Sequence, residues 1–194
     1  MKLDFLEIGT SNFGTIIQTA TDDTVGISVE PLAYYLDQLP APKNVIKENA
    51  AIAFDNIEKY IDIYYVTERD IKKNKLPKWL KGCNSLNTYH PKHLELGITD
   101  LVNIEHVLQI PISKLLEKYN VETIELLKID TEGGDCDILL NLKDYLHKKE
   151  KSFYPKKIQF ETNSLTLEDK LKKVLFEYAK LNYIVTKNTK WTLL

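Results

Sequence analysis

Leu3-Asp4-Phe5-Leu6-Glu7-Ile8-Gly9-Thr10-Ser11-Asn12-Phe13-Gly14 is followed, after a polar stretch, by Val25-Gly26-Ile27-Ser28-Val29-Glu30-Pro31. Each is a short apolar run ending in a carboxylate, and the first enters a turn bracketed by Gly9 and Gly14. This is the pattern of a βαβ nucleotide-binding unit: strand, glycine turn, helix, second strand, then an acid about 20 residues on that takes ribose hydroxyls. The interval from Gly9 to Glu30 fits it. A dinucleotide site uses G-x-G-x-x-G, whose second glycine lets the backbone approach a pyrophosphate. Ser11 stands in that place, and Glu7 adds a negative charge that repels pyrophosphate and attracts an ammonium or sulfonium group. S-adenosylmethionine has an adenosine ribose, a cationic sulfur and an amino-acid tail. It fits these residues better than NAD does, so an NAD-dependent enzyme is disfavoured. An ordinary strand-turn-helix with chance acids is the plain alternative.

The 194 residues, 43% hydrophobic and 28% charged, suffice for a single domain over 1–194 with a sizeable core. A net charge of −2 gives no general argument for a nucleic-acid or acidic-membrane partner. Lys72, Lys73, Lys75, Lys78 and Lys81 cluster, and such a cluster is more often a solvated face than a phosphate patch. Cys83 and Cys136 have neither metal spacing nor a disulfide framework and suit a reducing compartment. No run is long and apolar enough to span a bilayer, and Asp4 and Glu7 interrupt the N-terminal apolar residues, unlike a signal peptide. A cytoplasmic location without membrane partners is the expectation.

Strand signals fall at 3–8, 25–30, 44–48, 61–66, 104–110, 124–130, 157–162, 182–187 and 190–194. Helix signals fall at Phe13 or Gly14 to Ala20, within 32–39, at Ser113–Tyr119, at Gly134–His147 and at Leu167–Leu181. In the last, Thr166 with Asp169 resembles a capping box. Lys187-Asn188-Thr189-Lys190 is a hairpin turn signal. Alternating strands and helices argue for an α/β fold, a mostly parallel sheet with helices on both faces and a C-terminal antiparallel hairpin. Residues 67–103 are the least regular part, and a long polar-aromatic segment of that kind predicts a lid or substrate wall.

Ile124-Glu125-Leu126-Leu127-Lys128-Ile129-Asp130-Thr131-Glu132-Gly133-Gly134-Asp135 is a second constellation, an apolar strand that ends in Asp130 with Glu132 and a glycine pair before a helix. Ligands of open α/β sheets bind outside the carboxyl ends of strands, so Asp130 and Glu132 are expected in the same crevice as Glu7 and Glu30. Lys128 lies in a strand expected to be buried and needs a partner, for which Glu161 is the candidate. Asp135 and Asp137 read as complements to a helix N-terminus. Asp130, Glu161 and Asn163 form an oxygen-donor set for a hard divalent cation, with a Lys128–Glu161 pair and no metal as the alternative. His90 and His93, three apart, lack a second pair for zinc. One of them is a candidate general base, beside the plainer reading of two solvent-exposed loop histidines. His106 and His147 read as structural.

With these residues in place, the chain resembles the FkbM-type family of S-adenosylmethionine-dependent methyltransferases. The match is Ile124–Leu140, which is similar to the family's I-D-L-L-K-I-D-x-E-G-x-E-x-x-x-L. Glu7-Ile8-Gly9, Glu30-Pro31, Asn44-Val45 through Ala50-Ala51-Ile52, Asn84-Ser85-Leu86 and Pro111–Leu116 support it in the family's order. Two positions depart from the pattern. Glu7 replaces the Asp of D-I-G-A-N-x-G and Gly14 comes one residue late, and Asp135 stands where the family often has Ala-Glu.

The resemblance implies a Rossmann-like, seven-stranded class I fold and methyl transfer from S-adenosylmethionine to a hydroxyl oxygen of a sugar, glycan or secondary metabolite. It implies that Glu7, Gly9 and Gly14 hold the methionine tail and that Thr10, Ser11 and Asn12 also bind the cofactor. Glu30 takes the ribose hydroxyls, Ala50 and Ala51 lie near the adenine, Pro31 and Ser85 also bind the cofactor, and Asp130 faces the methyl group. Asp130, Glu132 or His90 supplies the chemistry at the acceptor, and Asp130 with Glu161 matches the magnesium carboxylates of related enzymes. The competing readings are a non-catalytic S-adenosylmethionine- or nucleotide-binding module or subunit, and an RNA methyltransferase, which the acidic balance disfavours. The oligomeric state is left open.

Overall fold

The computed structural model describes residues 1–187 and 191–194. In chain order the strands are β1 (Lys2–Ile8), β2 (Gly26–Val29), β3 (Val45–Glu48), β4 (Ala51–Ile52), β5 (Lys59–Tyr65) and β6 (Ser85–Leu86). They continue with β7 (Asn103–Ile110), β8 (Thr123–Ile129), β9 (Lys157–Glu161), β10 (Thr186–Lys187) and β11 (Trp191–Leu193). The α-helices are α1 (Ala33–Leu36), α2 (Glu68–Lys73), α3 (Pro91–Glu95), α4 (Ile112–Lys118), α5 (Asp135–Leu146) and α6 (Glu168–Lys180).

The main sheet runs β10-β11-β9-β8-β1-β2-β3. From β3 to β9 the neighbours are parallel, and β11 pairs antiparallel with β9 and β10. The chain steps outward from β1 to β3, then returns to the other side of β1 as β8. The loops after β1 and β8 therefore diverge, and a crevice opens at the carboxyl ends of these central strands. Near-continuous apolar runs suit such strands, because both of their faces are covered. Leu6, Ile8, Ile27, Val29, Leu127, Ile129, Ile158 and Phe160 pack against apolar residues of α4, α5 and α6. Phe5 points the other way, onto Ile17, Leu36 and Leu39.

Several expectations are corrected. The strands expected at 61–66 and 104–110 leave the main sheet: β5 and β7 pair antiparallel in a second sheet, ordered β4-β7-β5-β6. Apolar alternation reports a buried face and not the pairing partner. The first helix expected from Phe13 or Gly14 to Ala20 is a 3-10 turn at Ile16–Thr19, where β-branched Thr15, Ile16, Ile17 and Thr19 oppose an α-helix. The helix expected within 32–39 is the single turn α1. Thr166 and Asp169 form no capping box; Leu167 is the N-cap of α6, and Thr166 Oγ1 accepts the Asn163 N–H instead.

Residues 67–103 are more ordered than expected, with α2, a 3-10 turn at Lys78–Gly82, β6 and α3 around a small core of Val66, Ile71, Leu80, Cys83 and Ile98. Elements of two to six residues are too short for periodicity to register. The hairpin turn expected over 187–190 falls largely outside the described residues. Among the described residues, no helix is long and apolar enough to cross a membrane.

Candidate active site

Gly9 ends β1 with φ +78°, and a Cβ there would lie 2.0 Å from the Asp130 carbonyl oxygen. The loops after β1 and β8 touch at this point only because Gly9 has no side chain. Gly9 N–H donates to Val29 O at 3.0 Å and Asp130 N–H to Ile8 O at 2.9 Å, which continues both ladders into the loops. Ser11 follows with φ +47°, and its N–H donates to Glu30 Oε2 at 2.6 Å. Leu32 N–H donates to Glu30 Oε1 at 3.0 Å. Glu30 is 3% exposed, and burial pushes its carboxyl up to about 7 against these backbone donors. The hydroxyls of Thr10 and Ser11 are buried and have no hydrogen-bond partner among the described residues.

A cleft opens here. Thr10, Ser11, Glu30, Pro31, Ala50, Ala51, Ser85 and Asp130 line it, as expected. Phe13, Ile52, Phe54, Ile63, Gly82 and Asn84 also line it and were not foreseen. The approach of Phe13 depends on Gly82, where a Cβ would sit 3.1 Å from the phenyl ring. The sequence signals for these residues are the Asn84-Ser85-Leu86 match, with Gly82 just upstream, and the Ala50-Ala51-Ile52 match.

Three residues expected to bind the cofactor, Glu7, Asn12 and Gly14, do not line this cleft. Glu7 is fully buried beneath the cleft: Lys128 Nζ donates to its Oε1 at 2.8 Å and Ile16 N–H to its Oε2 at 2.9 Å. Burial pushes Glu7 up while Lys128 opposes that rise. Lys128 therefore pairs with Glu7 and not with Glu161, because β8 lies beside β1 with Lys128 opposite Glu7. Gly14 does not line the cleft, and its carbonyl accepts from Lys128 Nζ at 3.0 Å. Asn12 turns away from the cleft. Its amide donates to Gln38 and Glu68 at 2.9 Å each, and its Oδ1 accepts from Lys81 Nζ at 2.9 Å. Lys81 Nζ also lies 4.3 Å from the Phe13 ring centre.

Asp130, Glu132 and Glu161 each bring a carboxylate oxygen within 4.8 Å of the others. Glu132 joins Asp130 and Glu161 in this cluster, and Asn163 adjoins Glu161. Asn163 Nδ2 donates to Glu161 Oε2 at 2.7 Å and its Oδ1 accepts from Leu165 N–H at 2.8 Å, so Asn163 orients Glu161. Asp135 does more than complement a helix N-terminus. It accepts from Thr131 Oγ1 at 3.0 Å and from Glu161 N–H at 3.2 Å, tying the loop after β8 to the end of β9. Burial pushes Asp135 up to about 6. Asp137 pairs with Lys170 at 2.6 Å. Glu132 itself has φ +52°, a left-handed conformation that costs a non-glycine residue about 1–3 kcal/mol and clusters at functional sites.

The histidines of the 67–103 segment are not solvent-exposed. His90 is 4% exposed and His93 is fully buried. They cap α3 reciprocally: His90 Nδ1 accepts the Lys92 N–H at 3.1 Å and His93 Nδ1 accepts the His90 N–H at 3.3 Å. Burial and the neighbouring His90 hold His93 below the ordinary histidine range. His90 Nε2 lies 3.6 Å from Glu132 Oε2. His106 is on the surface, 2.9 Å from Asp62 and stacked on Tyr60. A second cleft, lined by Asp55, Lys59, Asn87, Tyr89, His90 and Gln109 among others, shares Phe54, Ser85, Leu86 and Glu132 with the first.

The two adjoining clefts share the Glu132 carboxylate on their common wall, and Asp130 lines the first beside it. Comparison with curated proteins and with solved structures returned no match. A family model described as the methyltransferase FkbM domain matches residues 8–183, nearly the whole chain, including every residue of both clefts. The chain belongs to the FkbM methyltransferase family.

Proposed function

We propose that this methyltransferase takes its methyl group from S-adenosylmethionine and delivers it to a hydroxyl oxygen of a sugar, glycan or secondary metabolite. The observation that carries the reading is Glu30: a buried carboxylate held by two backbone N–H groups at the rim of a nucleotide-type glycine turn. A ribose diol gives such a carboxylate the further hydrogen bonds that favour its charged form. The unpartnered hydroxyls of Thr10 and Ser11 fit a polar amino-acid tail, and Ile8, Val29, Ala51 and Ile52 offer an apolar slot for a flat base. When bound, S-adenosylmethionine supplies a methyl group activated by a sulfonium centre.

The chain's own contribution is orientation and proton removal. A sugar hydroxyl is a poor nucleophile at neutral pH and needs a base or a cation that lowers its pKa. Glu132 lines both clefts and takes the proton, while Asp130 faces the transferring group. Asp130, Glu132 and Glu161 offer the hard oxygen donors a magnesium ion takes, and an ion held there would lower the acceptor's pKa in place of proton removal by Glu132. A non-catalytic binding module has no need of Glu132 and Glu161 in that position.

The test is incubation with S-adenosylmethionine and a panel of methyl glucoside, glucosamine and glucuronate, with and without magnesium. Released S-adenosylhomocysteine and the methyl ether are the readouts. Turnover of a hydroxyl acceptor, lowered about 10²–10⁴-fold in Glu132→Gln, is expected. Methylation of an amine or carboxylate alone, or of none of them, contradicts the proposal.

A further inference from the structure

His90 has a chemistry that its position fixes. Its Nδ1 accepts the Lys92 backbone N–H at 3.1 Å, and a nitrogen that accepts from a peptide N–H carries no hydrogen itself. The ring hydrogen is therefore on Nε2. His93 Nδ1, accepting the His90 N–H at 3.3 Å, and Pro91 at the start of α3 hold the backbone that presents this ring. Nε2 is buried and has no hydrogen-bond partner among the described residues. Glu132 Oε2, 3.6 Å away, is beyond hydrogen-bond range. A buried donor left without an acceptor is unfavourable. This one faces the carboxylate that both clefts share. An oxygen seated beside the pair, within reach of both, accepts from Nε2–H and gives a hydrogen to the carboxylate. A hydroxyl does both; a carboxylate only accepts and an ammonium only donates.

We propose that His90 is a fixed hydrogen-bond donor to the acceptor: its Nε2–H holds the acceptor oxygen while that hydroxyl's own hydrogen points at Glu132. The proposal rests on the hydroxyl-methylation reading above. The O–H bond breaks, the proton goes to the Glu132 carboxylate and the electron pair stays on oxygen. His90 is thus an orienting group and not the base expected of a histidine in this segment.

Two variants separate this role from helix capping. His90→Asn keeps an oxygen for the cap and deletes Nε2–H. His90→Gln places an amide N–H near the position of Nε2 and weakens the cap. With methyl glucoside as acceptor, His90→Asn is expected to retain fold and S-adenosylhomocysteine affinity while kcat falls about 10–100-fold. His90→Gln is expected to be less stable yet to keep more of kcat. The reverse order, with His90→Asn as active as the parent, overturns the proposal. Long-range proton–nitrogen spectra of the imidazoles, with S-adenosylhomocysteine bound, judge the tautomer separately: Nε2 protonated and Nδ1 bare is expected. A bare Nε2 makes His90 a base and refutes the assignment. If no saccharide is turned over, the hydroxyl-methylation reading fails on that assay, and the imidazole spectrum still decides whether His90 is donor or base.

Discussion

Lys128 places an ammonium group in the middle of a parallel sheet, between Glu7 on β1 and Gln159 on β9. It is tolerated because Glu7 Oε1 and Gly14 O accept its hydrogens, while Ile16 N–H takes the other Glu7 oxygen. One buried ion pair thereby links two strands, the glycine turn and the 3-10 turn at Ile16–Thr19. Removing one partner leaves an uncompensated buried charge, which costs about 3–5 kcal/mol. Lys128→Met is expected to lower unfolding free energy in urea by about that much. Adding Glu7→Gln to it should cost less than the sum of the single changes, because the second removes the charge the first orphaned. Strict additivity contradicts the coupling. The need of Lys128 for a carboxylate was legible in the sequence. Its identity was not, because Glu7 is 121 residues away and only the strand order brings it alongside.

The strand ends are the elements on which the clefts are built, and two glycines there have opposite consequences. Gly9 combines φ +78° with a Cβ position 2.0 Å from Asp130 O, whereas a Cβ on Gly14, at φ +64°, would meet no atom of the described residues within 4 Å. Gly14→Ala is expected to cost about 1–2 kcal/mol from conformation alone and to leave S-adenosylhomocysteine affinity nearly unchanged. Gly9→Ala must part β1 from β8 and should lose measurable binding in calorimetry. Equal behaviour of the two variants contradicts this account of the turn. The strand-then-carboxylate pattern made these ends readable: Glu30, Asp130 and Glu132 all reach the clefts. The second sheet stayed hidden, since β5 and β7 show the same alternation as any half-buried strand. The capping role of His90 and His93 was missed although His-Pro-Lys-His carries the i, i+3 spacing, because capping boxes are expected of Ser, Thr and Glu.

At the scale of the molecule, the reversal of strand order between β1 and β8 puts one cleft beside Glu30 and joins a second to it across Glu132. That much follows from an α/β pattern read along the chain. The ordered 67–103 segment that walls both clefts does not, because its elements are too short to announce themselves. The Glu30 carboxyl, raised by burial from 4.5 to about 7, couples the whole fold to pH. Its contribution to the stability of the free protein is complete below about 4.5 and is lost as pH rises through about 7. On the proposed reading, ribose hydroxyls donate to Glu30 and favour its charged form, so binding of the cofactor is expected to expel a proton.

The most direct measurement is calorimetric titration of the parent and Glu30→Gln with S-adenosylhomocysteine at pH 7, in buffers of different ionisation heat. Binding by the parent with release of up to about half a proton is expected, since Glu30 is about half protonated there. Glu30→Gln should bind about 10–100-fold more weakly and release no proton. No binding by the parent, or binding that neither releases a proton nor responds to Glu30→Gln, contradicts the account.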